Sequence, residues 1–397
     1  MAGIFRTVLG MWCVGCLAAS CALAANAADE AKERAVVSAA LAGPMEDVTE
    51  VVFAARLPYD DPHWYANIGY FCDDERQKAY AGNGRPDVGK LCKVNIRTGD
   101  VTTLVDDPGG SIRDPQVHYD GRKVLFAFRR SGTDCYHLYE VGVDGSDLRQ
   151  ITGGAYDDYE PCYLPDGGIA FVSTRCNCWV NCWKTQVGVI YRCDADGGNI
   201  RRLSYSGEHD NTPWVLPDGR ILYTRWEYVD RSQVEFHHLW TMNPDGTAQA
   251  ILFGNMHPGI VMIDAKPIPG SRNILAGFSP GHGMTDHRGT ATIVSPAGGP
   301  DDRSSARPIP GWPHVEDPYA LSDDCFLAAQ AKQILVGDAA GNRAVLYRWQ
   351  GEGNVREPRP VRARVREPVI PSRVDWTEPT GRMILSDIYA SRHMAGV

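Results

Sequence analysis

Asp210-Asn211-Thr212-Pro213-Trp214-Val215-Leu216-Pro217-Asp218-Gly219-Arg220-Ile221-Leu222-Tyr223-Thr224 is the stretch that decides the fold, because it predicts a β-hairpin. Pro217 restricts φ at the start of the turn, and Gly219 tolerates the positive φ that a tight turn needs. Two further copies run from Asp114 to Phe126 and from Glu160 to Phe171. Weaker copies begin at Lys266, Asp317 and Val374. The hairpin is therefore a repeated unit.

A second strand pattern alternates with this hairpin and also ends in Asp-Gly. Its clear copies are Leu138–Gly145, Ile190–Gly197 and Leu239–Gly246. Poorer copies at Leu91–Ile96, Ala291–Val294 and Val345–Arg348 bring the number to six. Gly121, Gly167 and Gly219 are separated by 46 and 52 residues, and four short strands per such period are typical of a β-propeller. The sequence predicts an all-β, six-bladed propeller, with a seven-bladed ring as the alternative.

The two ends of the repeat region predict how the ring closes. Val51–Ala55 matches the second strand of a blade, so the first strand must come from the other terminus. Pro371–Trp376 is the expected closing strand, and Arg356–Arg373, with its alternating Val and Arg, is expected to be an outer strand with one solvated face. Met383–Ile388 is then one strand too many, which indicates either an incomplete seventh blade or a chain that leaves the propeller.

The N-terminus predicts export. Arg6 is followed by an uncharged apolar run and by Ala25-Asn26-Ala27, which are the features of a secretory signal peptide. A lipoprotein signal ending at Cys21 is the less favoured alternative. The expected location is the periplasm. The expected divisions are a signal peptide (1–27), a short helix or linker (28–50), the propeller (51–390) and a tail leading out of it (391–397).

Composition limits the classes of partner. The chain has 49 Asp and Glu against 40 Lys and Arg, and this acidic balance without a basic stripe argues against nucleic acid. No apolar run after the signal peptide is long enough to span a membrane. Twelve cysteines are present, of which Cys13, Cys16 and Cys21 belong to the predicted signal peptide. The other nine would enter an oxidising compartment, where paired cysteines tend to form disulfides.

Up-and-down blade topology predicts that function is concentrated on one face of the ring. The Asp-Gly turns share one face, whereas the long, chemically varied insertions share the other. These insertions are 58–89, 129–137, 175–184, 226–238 and 279–288. We expect a protein partner or a cytochrome-like domain to bind this loop-rich face.

The most unusual of these insertions is Arg175-Cys176-Asn177-Cys178-Trp179-Val180-Asn181-Cys182-Trp183. Three cysteines so close together could hold a soft-ligand metal such as zinc, with His209 from the adjoining loop. A disulfide from Cys176 or Cys178 to Cys182 explains the same residues equally well. The sequence contains no Cys-x-x-Cys-His, so we expect no covalent haem in this chain.

Gly277-Phe278-Ser279-Pro280-Gly281 imitates the Gly-x-Ser-x-Gly elbow of hydrolases, but the residue after the nucleophile must donate its backbone N–H to the oxyanion. Pro280 has no N–H, so this interpretation is rejected.

The Pro-Asp-Gly repeats resemble the TolB-type, WD40-like propeller repeats. The middle of the chain, from Val172 through the cysteine-rich loop and Glu208-His209-Asp210 to Gly246, resembles the propeller of the hydrazine synthase alpha-subunit family. That resemblance implies an exported bacterial multihaem complex with a zinc ion near one haem. By the same resemblance, Asp61, Cys178, Cys182 and His209 are the expected metal ligands. The haem-binding domains of that family have no counterpart in this sequence.

Two functions therefore stay open at this point. We favour an exported, non-catalytic propeller that binds a partner through its loop-rich face. The alternative is a fragment of a metal-dependent or haem-associated redox enzyme, in which a missing cytochrome-like C-terminal domain would bring the cofactor.

Overall fold

The computed structural model describes residues 27–58, 63, 65, 87–281, 284, 288–375, 377–378, 380–385 and 387. The signal peptide up to residue 26, Asp61 and the tail from 391 lie outside the described residues, as does most of the 58–89 insertion. Residues 27–42 form a helix, α1, ahead of the strands. Within the part of the chain that the structure describes, no helix is both long and apolar enough to cross a membrane.

The described strands form four antiparallel sheets of four strands and one sheet of eight, which confirms the predicted all-β class. The sheet of eight consists of two four-stranded antiparallel modules joined by a short parallel pairing, with Phe236 opposite Ile260 and His237 opposite Val261, so the described strands make six modules. The first strands of the modules are β24 (Asn354–Pro360), β4 (Ser111–Val117), β8 (Asp158–Tyr163), β12 (Asp210–Val215), β16 (Ile260–Pro267) and β20 (Glu316–Ser322). The second strands, in the same order of modules, are β1 (Glu50–Arg56), β5 (Lys123–Arg129), β9 (Ile169–Ser173), β13 (Ile221–Val229), β17 (Ile274–Ser279) and β21 (Cys325–Gln330).

The third and fourth strands complete each module toward the outside. The third strands are β2 (Lys90–Asn95), β6 (His137–Gly142), β10 (Val189–Cys193), β14 (Ser232–Met242), β18 (Thr290–Val294) and β22 (Gln333–Gly337). The fourth strands are β3 (Val101–Asp106), β7 (Arg149–Gln150), β11 (Arg201–Arg202), β15 (Ala250–Phe253), β19 (Ala306–Pro308) and β23 (Arg343–Arg348). Two short 3-10 helices, Pro296–Gly298 and Arg303–Ser305, connect β18 to β19.

The six first strands contact one another in a closed cycle, in the order β24, β4, β8, β12, β16, β20 and back to β24. The apolar side chains pack between neighbouring modules. Val52 and Leu91 of the first module, for example, form one cluster with Ile112 and Phe126 of the second. This continuous core between stacked sheets is the architecture of a β-propeller, as the sequence predicts.

The strand that closes the ring is β24, so the expectation that Pro371–Trp376 closes it is wrong. β24 pairs with β1 in antiparallel register, with Val51 opposite Pro360 and Arg56 opposite Asn354. A buried ion pair between Arg56 of β1 and Glu357 of β24, with an N···O distance of 2.6 Å, also links the two strands. The expected outer strand over Arg356–Arg373 is wrong for the same reason, because its first part is a buried first strand.

Each first strand carries a bulge at its equivalent position. The residue at the bulge has a positive φ of 46–57° although it is not glycine, in Asp114, Glu160, Thr212, Asp264, Asp317 and Glu357. Side chains link neighbouring bulges, since Asp114 Oδ2 accepts from Glu160 N at 3.0 Å and Glu160 Oε2 accepts from Thr212 N at 2.5 Å. Each such conformation costs about 1–3 kcal/mol and persists only where the surroundings impose it. The same conformation recurs at the equivalent position of all six described first strands, so it is a feature of the repeat.

After β24 the chain crosses the face that carries the Asp-Gly turns, which we call the turn face. This strap, residues 361–373, contains no strand. Arg364 N donates to Tyr119 O at 2.9 Å, and Arg373 N donates to Asp245 Oδ2 at 2.6 Å. A Cβ on Gly219 would collide with the carbonyl of Pro368, so the turn glycine also permits this close approach. No strand follows the strap among residues 374–375, 377–378, 380–385 and 387, where the sequence predicts the surplus strand at Met383.

Candidate functional site on the loop face

The cysteine-rich insertion between β9 and β10 lies on the face opposite the strap, which we call the loop face. It folds back on itself as a small hairpin. Trp179 pairs with Gln186 in an isolated bridge, and Val187 N donates to Cys178 O at 2.8 Å. These backbone bonds hold the three cysteines in a defined arrangement.

The thiols of this insertion differ in their surroundings. Cys176 Sγ donates to Val187 O at 3.2 Å, and Cys178 Sγ donates to Cys176 O at 3.4 Å. Burial raises the pKa of Cys176. Cys182 is exposed and lies 3.5 Å from the hydroxyl of Tyr65. All eight cysteines in the described ranges are free thiols, so the disulfide that the sequence allows within this insertion does not occur in the structure.

Tyr65 connects Cys182 to His209. Its ring stacks on Trp226 at a centroid distance of 4.7 Å and lies 5.8 Å from the ring of His209. Trp226 in turn stacks on His237 at 5.0 Å. The structure thus brings Cys182 and His209 to one side of the ring, around a buried aromatic stack.

His209 and Glu208 sit in the connection that enters β12. The His209 Nδ1 accepts from Gly188 N at 2.9 Å, and burial lowers the pKa of this imidazole to about 3. The ring is therefore neutral, with its proton on Nε2. Glu208 Oε1 accepts from Asn181 N at 3.2 Å, and burial raises the pKa of Glu208 to about 7. This carboxyl therefore changes charge near neutral pH.

The described residues test the expected zinc ligands only in part. Among them, no three or more His, Cys, Asp or Glu side chains gather in a group that could hold a metal ion. Cys178, Cys182 and His209 therefore do not form a complete ligand set by themselves. The fourth expected ligand, Asp61, lies outside the described residues, as do His282, Asp286 and His287 of another insertion. The zinc site stays a prediction.

The structure packs three residues into this region that the sequence does not propose as ligands: Tyr65, Glu208 and Trp226. Tyr65 contacts Cys182 across 117 residues of chain, so no local pattern could indicate it. Glu208 does stand beside His209 in the sequence, and only its burial distinguishes it from a solvated loop acid.

Five large apolar side chains are exposed in four connections of the loop face. Trp179 is 42% exposed and Tyr205 is 73% exposed, and Val229, Val234 and Met256 are also exposed. Hydrogen bonds join these connections, since Asn181 N donates to Glu208 and Arg231 Nη1 donates to Asn255 O at 2.8 Å. We call these five side chains the apolar patch. Exposed apolar side chains on one face make that face a candidate interaction surface.

The comparisons with known proteins agree with this fold. No family model matches the chain. The chain is 31% identical over 162 residues to an uncharacterized protein, Atu1656, of Agrobacterium fabrum, which covers 40% of this chain and 54% of that protein. It is 23% identical over 191 residues to hydrazine synthase subunit alpha of Kuenenia stuttgartiensis, which covers 35% of this chain and 23% of that subunit. The chain thus spans about half of one curated relative and about a quarter of the other.

Two solved structures share the architecture. The structure of hydrazine synthase from Kuenenia stuttgartiensis matches this chain with a TM-score of 0.66 and 18% sequence identity. The match covers 81% of this chain and 48% of the hydrazine synthase chain. TolB from Acinetobacter baumannii matches with a TM-score of 0.53 and 14% sequence identity, over 78% of this chain and 66% of the TolB chain. The chain therefore has a β-propeller fold, similar to the propellers of hydrazine synthase and TolB.

Proposed function

We propose that this chain is an exported, non-catalytic propeller module that binds a partner protein through its loop face. The apolar patch carries this proposal. Its five side chains come from four connections of the loop face, and exposed aromatic and large apolar side chains are typical of protein interfaces. The closed cycle of six modules is proposed to be a six-bladed ring that presents this patch rigidly.

Site-specific photo-crosslinking in the native cells tests the interface. A benzoyl-phenylalanine at Tyr205, in the patch, should yield one discrete adduct. The same group at Leu148, which is exposed on the turn face, is the matched control and should yield none. Adding Val229→Glu and Val234→Glu should abolish the Tyr205 adduct, because two charges would then be desolvated on binding. Equal adducts at both positions, or an adduct that survives both substitutions, would contradict the proposal.

Export is proposed from the N-terminal sequence. N-terminal sequencing of the protein purified from the cell envelope should begin at Ala28. A mature protein that retains Met1 would contradict export by this route.

The second candidate is a metal-dependent or haem-associated redox component. The contact of Tyr65 with both Cys182 and His209 favours it, because it places a soft ligand and a neutral imidazole on one face. Zinc and haem analysis of the mature chain, with thiol counting, separates the two functions. One zinc per chain that is lost in Cys178→Ser and Cys182→Ser supports this candidate, and a metal-free chain with the patch intact supports the first.

A further inference from the structure

A cavity of about 640 Å³ lies on the turn face, between the first strands and the strap. Its volume falls in the range of sites that bind small molecules, about 300–1,000 Å³. The first strands contribute Trp214, Lys266, Tyr319 and Arg359 to its walls, and the strap contributes Arg362, Arg364 and Arg366. It is separate from the loop face, where the proposed partner binds.

The wall formed by the first strands holds two buried cations that share one carboxylate. Lys266 Nζ and Arg359 Nη2 both donate to Asp317 Oδ1, at 3.1 and 2.8 Å. These two cations hold the pKa of Asp317 well below its usual range, although burial opposes them, so it is ionised. Arg359 Nε is buried and has no hydrogen-bond partner among the described residues. A buried donor without a partner is costly, and a bound acceptor would remove that cost.

The strap places further cations around the same cavity. Arg364 pairs with Glu367 at 3.0 Å, and Arg362 pairs with Asp47 at 3.1 Å. Arg366 is held by the carbonyl of Pro165, at 3.0 Å, and not by a carboxylate in the described part of the chain. The cationic side chains therefore outnumber the carboxylates that line this cavity.

The rest of the wall is apolar and aromatic. Trp214 and Tyr319 meet edge to face at 6.0 Å, and Lys266 lies 5.4 Å above the Trp214 ring. Prolines 217, 267 and 360 complete the wall. The carboxylates of Asp114, Glu160 and Asp264 line a second, smaller pocket that shares Trp214, Lys266 and Arg359 with this cavity, and they do not line the cavity itself.

We propose that this cavity binds a small organic anion, a carboxylate or phosphate attached to an apolar body. Arg364 and Arg366 face the anionic group, and Trp214 and Tyr319 contact the apolar body. Planar guanidinium groups match carboxylate and phosphate oxygens in geometry as well as in charge.

The test uses 8-anilinonaphthalene-1-sulfonate as an anionic probe and N-phenyl-1-naphthylamine as its uncharged analogue, in fluorescence titrations of the full mature chain. We expect one saturable site for the anion, at least about tenfold weaker binding of the analogue, and displacement by benzoate or phenyl phosphate. The double variant Arg364→Gln/Arg366→Gln should bind the anion about tenfold more weakly. Arg307→Gln, on the outer strand β19, is the matched control and should bind as the wild type does.

A second readout needs no variant. Trypsin cleaves after Arg362, Arg364 and Arg366. A bound anion should therefore slow cleavage of the strap in the wild-type chain by about threefold or more, compared with the same chain in the presence of the uncharged analogue. This magnitude corresponds to the contribution of a typical surface ion pair. Equal binding of the two probes, unchanged binding by a double variant that keeps the wild-type circular dichroism spectrum, or unchanged cleavage would overturn the proposal.

Discussion

Glu208 and His209 are neighbours in sequence with opposite responses to burial. Burial disfavours the charged form of each, so it raises the pKa of the carboxyl to about 7 and lowers the pKa of the imidazole to about 3. Both side chains are therefore neutral just below pH 7. Glu208 Oε2 is buried and without a hydrogen-bond partner in the described ranges, which is consistent with a proton on that oxygen.

The raised pKa of Glu208 predicts a stability that falls with rising pH. Between about 4.5, the value in the unfolded chain, and about 7, the folded chain holds the additional proton. The stabilisation is therefore complete below 4.5 and is lost as the pH rises through 7. Glu208→Gln removes this dependence. The difference in unfolding free energy between the variant and the wild type should therefore shift in favour of the variant by about 1–3 kcal/mol from pH 5 to pH 8. Urea denaturation at both pH values measures this.

Glu235→Gln is the control for this substitution, because Glu235 is an exposed carboxyl on the same face. It should change the unfolding free energy equally at both pH values. Parallel pH profiles for Glu208→Gln and the wild type would show that Glu208 keeps an ordinary pKa in the folded chain.

The cysteines should differ sharply in reactivity. Cys182 is exposed, whereas Cys162 and Cys193 are buried and burial raises the pKa of each to about 12. Since the thiolate is the reactive form, a short pulse of iodoacetamide at pH 8 should modify Cys182 at least about tenfold faster than the other two. Peptide mass spectrometry quantifies each site. Recovery of a Cys178–Cys182 disulfide peptide instead would contradict the free thiols of the structure.

At the scale of the elements, the strap differs from its sequence-based prediction. Its alternating Val and Arg predict a strand with one solvated face, but in the structure strap arginines pack against the turn face. Arg364 lies 3.9 Å from the centre of the Tyr119 ring, whereas Val365 is 91% exposed. At these two positions the arginine faces the protein and the valine faces solvent, the reverse of the predicted strand. The turn face offers carbonyls and an aromatic ring, which suit guanidinium groups better than valine does.

Two truncations separate the closing strand from the strap. A chain that ends after Val361 keeps β24 and should fold, with a modest loss of stability from the missing strap contacts. A chain that ends after Gly353 lacks β24, which leaves the edge of β1 open and Arg56 buried without Glu357. Loss of one partner of a buried pair alone costs about 3–5 kcal/mol. We expect this shorter chain to aggregate, as judged by size-exclusion chromatography and circular dichroism.

The two truncations also test whether β24, and not residues 371–376, closes the ring. If residues 371–376 closed the ring, both truncated chains would lack the closing strand and would fail alike. A folded chain ending at Val361 is the result that only closure through β24 explains.

At the scale of the whole molecule, the ring is held by one module that is built from both ends of the chain. Its first strand comes from residues 354–360 and its other three from residues 50–106. Separating the two chain ends at this module therefore breaks the β1–β24 hydrogen bonds together with the contacts of β24 to the modules on both sides. This arrangement couples the modules, which otherwise contact only their neighbours.

A circular permutant measures that coupling. Val361 N donates to Glu50 O at 2.8 Å, so a short linker can join the two ends, with new termini between β3 and β4. All strand pairs are kept, but every module is then continuous in sequence. We expect a lower unfolding free energy and a broader urea transition than for a chain of residues 48–361 in native order, which is the control. An equally stable and equally sharp transition would show that the shared module contributes no coupling.

The sequence by itself determined the all-β class, the repeating four-stranded unit and the division between turns and long insertions. These depend on local physics: Pro-Asp-Gly turns, strand alternation and the spacing between them act within about 50 residues. Hence Asp218-Gly219 and its copies are sufficient to locate the turn face.

Only the tertiary structure decided which segment closes the ring, which way the strap arginines point and which side chains surround His209. The Arg56–Glu357 pair spans 301 residues and the Tyr65–Cys182 contact spans 117, so neither leaves a pattern in any local window. The burial of individual side chains likewise depends on the tertiary structure and not on a local sequence pattern. Glu208 and Glu235 are the same residue type on the same face, and only the packing around them buries one carboxyl and leaves the other exposed.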